Sequence, residues 1–93
     1  MYSGDDPRDF DNLSEDEQKA LLSWIAESFI YIHTTNTRHT SYGLKHIYER
    51  QTGNYVTNGQ FKGAMLKAGF IPQSERAQNW CFNISQRSPA FKK

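Results

Sequence analysis

Apolar side chains recur along the chain in three helical stripes and one closing alternation. Leu21, Leu22, Ile25, Phe29 and Ile32 follow Ser14-Glu15-Asp16-Glu17, a capping box in which the Ser14 hydroxyl accepts from the Glu17 amide and Glu17 reaches back. This spacing predicts a helix over residues 14–33, with an acidic first turn that suits the helix dipole. The polar, β-branched run 34–40 breaks that helix and has room for a short strand. Ser41 is the next expected N-cap. Leu44, Ile47 and Tyr48 share one face, and Gly53 stands where a left-handed residue ends a helix, so a second helix is predicted over 42–52. Thr57 and Gln60 form another capping box, and Phe61, Ala64, Met65 and Ala68 give the buried stripe of a third helix that Gly69 ends. Trp80, Phe82 and Ile84 alternate as in a half-buried strand, with Phe70 and Ile71 as its partner across the polar link 73–79.

Helix, short strand, helix, helix, strand, loop, strand is the order of a winged helix, a mainly α fold with a small β-hairpin. The expected domain covers 14–85. Before it, residues 1–13 hold Gly4, Pro7 and four aspartates and are expected to be flexible, as is the basic tail 86–93. At 93 residues the chain is one domain with a modest core. Its single cysteine, Cys81, permits no internal disulfide, which suits a reducing bacterial cytosol, and its place between Trp80 and Phe82 reads as a buried, inert thiol. No apolar run reaches the length of a membrane span, and the start lacks a signal-peptide pattern, so no membrane partner is expected.

Charge is divided along the chain. Through His33 eight acidic side chains face two basic ones, and after it nine basic face two acidic. Such segregation points to a basic working face and an acidic lead. On the third helix the residues away from the apolar stripe are Asn58, Gly59, Gln60, Lys62, Gly63 and Lys67. In a helix-turn-helix reader this face enters the major groove: Asn58 and Gln60 can bond adenine, Lys62 and Lys67 neutralise phosphate, and Gly59 and Gly63 allow close approach. Lys45, Arg76 in the wing and Arg87 in the tail complete the expected contact set. The competing reading is structural, with the two glycines marking tight helix packing and the lysines solvating a face. Tyr42, Tyr48, Tyr55 and Trp80, interleaved with Lys45, Arg50 and Lys62, are candidates for stacking on single-stranded DNA, although rings at such spacing usually pack inward.

No enzyme is expected. The chain has no G-x-S-x-G elbow, no phosphate-binding loop and no paired catalytic carboxylates in a structured element, and His33, His39, His46 and Cys81 match no metal-ligand spacing, so no cofactor is expected either.

The segments Y-G-L-K-H-I-Y-E-R, T-N-G-Q-F-K-G-A-M-L-K-A-G-F and N-W-C-F-N-I resemble the winged-helix domains of phage and mobile-element replication proteins, in particular the small domain that ends poxvirus-type primase-helicases. The resemblance covers about residues 41–85. It implies a DNA-handling module, a replication accessory or regulatory factor that binds duplex or single-stranded DNA and works beside replication proteins. No helicase or primase domain accompanies it here, so the implied role is binding alone. A rival expectation is a winged helix that docks on a host or replisome protein. A third has the acidic start compete with DNA for the basic face, in which case removal of residues 1–12 tightens binding.

Overall fold

Residues 4–92 are described by a computed structural model, and they build three α-helices and a two-stranded antiparallel sheet. Their order is a 3-10 helix η1 (Pro7–Asn12), α1 (Glu15–Ser28), β1 (Tyr31–Asn36), α2 (Ser41–Thr52), α3 (Asn58–Lys67), β2 (Phe82–Ile84) and a second 3-10 turn, η2 (Pro89–Phe91). Met1, Tyr2, Ser3 and Lys93, which were counted in the flexible ends, lie outside the described residues. None of the described helices is long and apolar enough to cross a membrane.

Both capping boxes form as expected, at Ser14/Glu17 and at Thr57/Gln60. Gly53 ends α2 at φ 78°. Gly69 follows α3 at φ 93°, with its own amide bonded to the Leu66 carbonyl and that of Phe70 to the Met65 carbonyl. This is the Schellman arrangement, which needs a left-handed residue at Gly69. Two boundaries differ from expectation. α1 stops at Ser28, not near His33, because Phe29 turns extended (φ −122°, ψ 138°) and the β-branched and aromatic run from Tyr31 joins the sheet. Pairing with β2 outweighs the helical spacing of Phe29 and Ile32. Thr40, not Ser41, caps α2; Ser41 is buried, where its Oγ accepts from the Trp80 amide and its own amide donates to the Trp80 carbonyl.

β1 pairs antiparallel with β2, Tyr31 opposite Ile84 and Asn36 opposite Phe82, with a register shift between them. The partner strand expected at Phe70 and Ile71 is reduced to a single bridge, Pro72 to Phe82, beside a bond from the Gln73 amide to the Cys81 carbonyl. Asn83, mid-β2, is buried, so β2 is not the half-buried alternation expected; its Oδ1 accepts from the Ile71 amide. Leu21, Ile25, Leu44, Tyr48, Phe61 and Met65 fill the core between the three helices, and Phe82 and Ile84 close it from the sheet.

Within the described residues, both ends pack against the rest of the chain and are not the loose segments expected there. η1 packs along α3, with Phe10 and Leu13 in the core and Asp9 buried, its carboxylate accepting from the Thr57 hydroxyl and the Asn12 amide. At the other end Ala90 is buried, the Phe91 ring stacks on His39, and Ser88 accepts from the Ile30 amide. Burial of Phe10, Leu13 and Ala90, with Phe91 partly buried beside them, opposes the entropy cost of ordering these segments.

Candidate nucleic-acid interface

Gly59 and Gly63 lie one turn apart on the side of α3 expected to meet DNA, and the chain's own N-terminal segment occupies that side. The Gly59 amide donates to the Gly4 carbonyl at 2.9 Å. A Cβ on Gly59 would come within 2.7 Å of the Asp6 nitrogen, and one on Gly63 within 2.6 Å of the Phe10 Cβ and closer still to the Pro7 carbonyl oxygen. Glycine is therefore needed at both positions to admit η1.

Lys62 is only 2 % exposed. Its Nζ donates to the Asp5 carbonyl at 3.0 Å and lies 4.8 Å from the centroid of the Trp80 ring. Burial pushes its pKa below that of an ordinary lysine, against the upward pull of the Asp5 and Asp6 carboxylates. Asn58, 6 % exposed, gives its Nδ2 to Asp5 Oδ1, Asn79 Oδ1 and the Gln78 carbonyl, while its buried Oδ1 has no hydrogen-bond partner among the described residues. Asp6 forms an ion pair with Arg8, whose guanidinium hydrogen bonds lower the carboxyl to a pKa of about 2.

The rest of the expected contact set is dispersed. Lys45 is buried, with Nζ 3.0 Å from Glu49 Oε2; Glu49 also takes a hydrogen bond from the Val56 amide and has Oε1 3.0 Å from His46 Nδ1. Burial works against the Glu49 carboxylate, but the Lys45 and Val56 hydrogen bonds hold its pKa below the usual glutamate value. Gln60 is half-buried and spends its side chain on the Thr57 amide. Lys67 on the last turn of α3, Arg76 in the loop after Pro72 and Arg87 after β2 are exposed. Only these three of the eight offer a free cationic surface.

A different cationic surface forms beside α2. Tyr42, His46 and Arg50 stand at i, i+4 and i+8 and so line one side of that helix, over about 12 Å. Next to Arg50 a groove of about 340 Å³ is closed by the C-terminal segment, and its walls include His39, Arg50, Gln86, Phe91 and Lys92. Among the described residues no side-chain carboxylate lines it. The His39 and Phe91 rings are parallel, 3.9 Å between centroids and 10° apart in plane, and His39 Nε2 lies 3.1 Å from Gln86 Oε1. Gln86 also lines a second hollow with Arg38 and the threonines of β1, again without a carboxylate.

The four candidate stacking rings separate into two pairs. Tyr48 and Trp80 are core. Tyr42 and Tyr55 are 52 % and 69 % exposed, and the Lys45 Nζ lies 5.4 Å from one ring centroid and 4.9 Å from the other.

Sequence reasoning missed Arg38, His39, Arg50 and Lys92 as a group. The line of Tyr42, His46 and Arg50 along the second helix was its one visible signal, and the wall that completes the groove depends on where the tail docks. No family model matches the chain, and no curated protein or solved structure matches it.

Proposed function

We propose that the protein is a non-enzymatic winged-helix DNA-binding protein that holds the sugar-phosphate backbone in the groove between α2 and the C-terminal segment, instead of inserting α3 into a major groove. The order α1, β1, α2, α3, β2 supports the winged-helix reading, as does the placement of Phe82 between Asn36 of β1 and Pro72, with the loop 73–79 in the wing position. The observation that carries the choice of surface is charge. Arg50, Lys92 and His39 line a groove to which none of the described residues adds a side-chain carboxylate, whereas α3 faces Asp5, Asp6 and the carbonyl that holds Lys62. Phosphate contacts supply affinity without reading sequence, and the two cations Arg50 and Lys92 in an open groove suit that role. Service as an accessory or regulatory factor in the replication of a phage or mobile element is the biological setting suggested by the resemblance of 41–85.

Mobility or anisotropy titration with duplex and single-stranded DNA over a salt series tests this reading. Affinity falls with salt, with a slope of about −0.9 per phosphate contacted on duplex and about −0.7 on a single strand. Absence of binding at low salt, or binding insensitive to salt, overturns it.

Ile30, Tyr31 and Ile71 are exposed apolar residues at the sheet, and they favour the second reading, a module that docks on another protein. That reading predicts a complex that survives high salt and no measurable affinity for DNA.

A further inference from the structure

Gln86, in the turn after β2, lines both the α2 groove and the hollow of about 260 Å³ along β1, whose walls include Thr34, Thr35, Thr37 and Arg38. Its hydrogen bonds fix the polarity of the wall between the two. The Arg38 backbone amide can only donate, so the Asn36 atom that it meets at 2.9 Å is the oxygen, Oδ1. The Asn36 side-chain nitrogen is then the atom 3.1 Å from Gln86, and it needs an acceptor there, which makes that atom Oε1. The same Oε1 lies 3.1 Å from His39 Nε2, so the imidazole carries a proton on Nε2 and donates as well. Both side-chain carbonyls of the cluster are thus taken from within. Among the described residues neither Gln86 Nε2 nor the Arg38 guanidinium has a hydrogen-bond or ion-pair partner, and no side-chain carboxylate lines the hollow.

We infer that the hollow is a second phosphate subsite, in which the Arg38 guanidinium and Gln86 Nε2 hold a DNA backbone phosphate near the one at Arg50 and Lys92. The inference rests on the DNA-binding reading above and extends it to a further contact on the same backbone. The chemistry of the wall selects the occupant. A guanidinium presents a planar fork of donors that matches phosphate oxygens, and an amide turned nitrogen-outward adds a donor that a cation could not use. A base edge mixes donors and acceptors, whereas the side-chain carbonyls of Asn36 and Gln86 are already bonded. The threonine hydroxyls donate or accept as the occupant requires. Because Gln86 belongs to both walls, a backbone held at Arg50 crosses it to reach Arg38. The contact is to phosphate, so it serves single strand and duplex alike and reads no sequence.

The test is fluorescence anisotropy of the full chain over a salt series, with a labelled single strand and the matching duplex. Arg38→Ala, which keeps the backbone amide that orients Asn36, is expected to reduce the slope of log affinity against log salt by about 0.7 on the single strand and about 0.9 on the duplex. Arg38→Lys is expected to keep the slope. Gln86→Glu retains an acceptor for Asn36 and His39 but replaces the outward donor by an anionic oxygen, and it is expected to weaken binding of both DNAs. Wild-type affinity in Gln86→Glu would confine Gln86 to docking His39 and overturn its place in the subsite. A wild-type slope in Arg38→Ala, beside a reduced one in Arg50→Ala, Lys92→Ala, overturns the subsite and leaves the groove reading intact. Inorganic phosphate, followed by NMR at the Gln86 side-chain amide, separates the free ion from the backbone. Saturation by inorganic phosphate together with an unchanged slope in Arg38→Ala would make the hollow a site for the free ion and overturn the DNA assignment. Failure of the wild type to bind either DNA at low salt overturns both readings together.

Discussion

Gly63 and Pro7 are in direct backbone contact: the α-carbon of one lies so close to the carbonyl of the other that no side chain fits between them. This contact, repeated one turn earlier between Gly59 and Asp6, turns the outward face of α3 into an internal seam. An exposed helix glycine replaced by alanine gains about 1 kcal/mol from propensity. Here Gly63→Ala forces η1 off the helix, and the expected outcome is a loss of about 1–3 kcal/mol, the range for overpacking a tight contact. Urea denaturation measures it, and a stabilised variant would mean that α3 is open to solvent.

Phe10 sets the scale of what the N-terminal segment contributes. It is buried against α3, and Phe10→Ala is expected to cost about 3–5 kcal/mol, a large share of the stability of a domain this size. Removal of residues 1–12 therefore unfolds or loosens the protein; it does not simply uncover a DNA-binding face. Thermal unfolding followed by circular dichroism checks both variants. A truncated chain with wild-type melting and tighter DNA binding would restore the competition idea.

Acid sensitivity follows from Glu49 and, at the surface, Asp6 and Glu17. Their folded pKa values lie below the unfolded ones of 4.5, 3.8 and 4.5, so on acidification the unfolded chain takes up protons first. Their contribution is complete above about pH 5 and is lost as pH falls through the folded values. Glu49→Gln is expected to lower stability at neutral pH and to flatten the decline below pH 4.5. An unchanged acid limb in the variant would place the dependence elsewhere.

Lys62 gives the same sign of pH dependence in an alkaline window, but its charge costs stability at neutral pH instead of adding to it. Its folded pKa lies below 10.5, so the charged form is disfavoured by folding and stability rises as pH moves from the folded value toward 10.5. Lys62→Met, which keeps the stem beside Trp80 and removes the charge, is expected to remove this alkaline rise in denaturant midpoint. Persistence of the rise would assign it to other groups.

Local signals were readable directly from the residues. Ser14 with Glu17, Thr57 with Gln60, Gly53 and Gly69 each satisfy a requirement of the backbone within a few positions, and each forms as expected. Long-range partners were not readable. Phe10 and Leu13 sit among aspartates in a stretch with the composition of a flexible leader, and their docking site is a helix nearly 50 residues further on. The paired glycines at 59 and 63 signalled that something approaches α3 closely, but the same signal suits DNA and a second backbone. In the sequence Lys62 and Lys45 read as outward-facing cations, and their burial is made tolerable by the Asp5 carbonyl and the Trp80 ring for one, and by Glu49 and the Tyr42 and Tyr55 rings for the other. The groove at Arg50 depends on the stack of Phe91 on His39, a contact between segments some 50 residues apart.

DNA is expected beside α2 and not on α3, and the salt dependence of affinity in two variants separates the two surfaces. The double variant Arg50→Ala, Lys92→Ala is expected to lose about two phosphate contacts, which reduces the slope of log affinity against log salt by about 1.4 on a single strand and about 1.8 on duplex. Lys62→Met is expected to leave that slope unchanged. A slope that falls in Lys62→Met and holds in the double variant would contradict the account and return the site to α3.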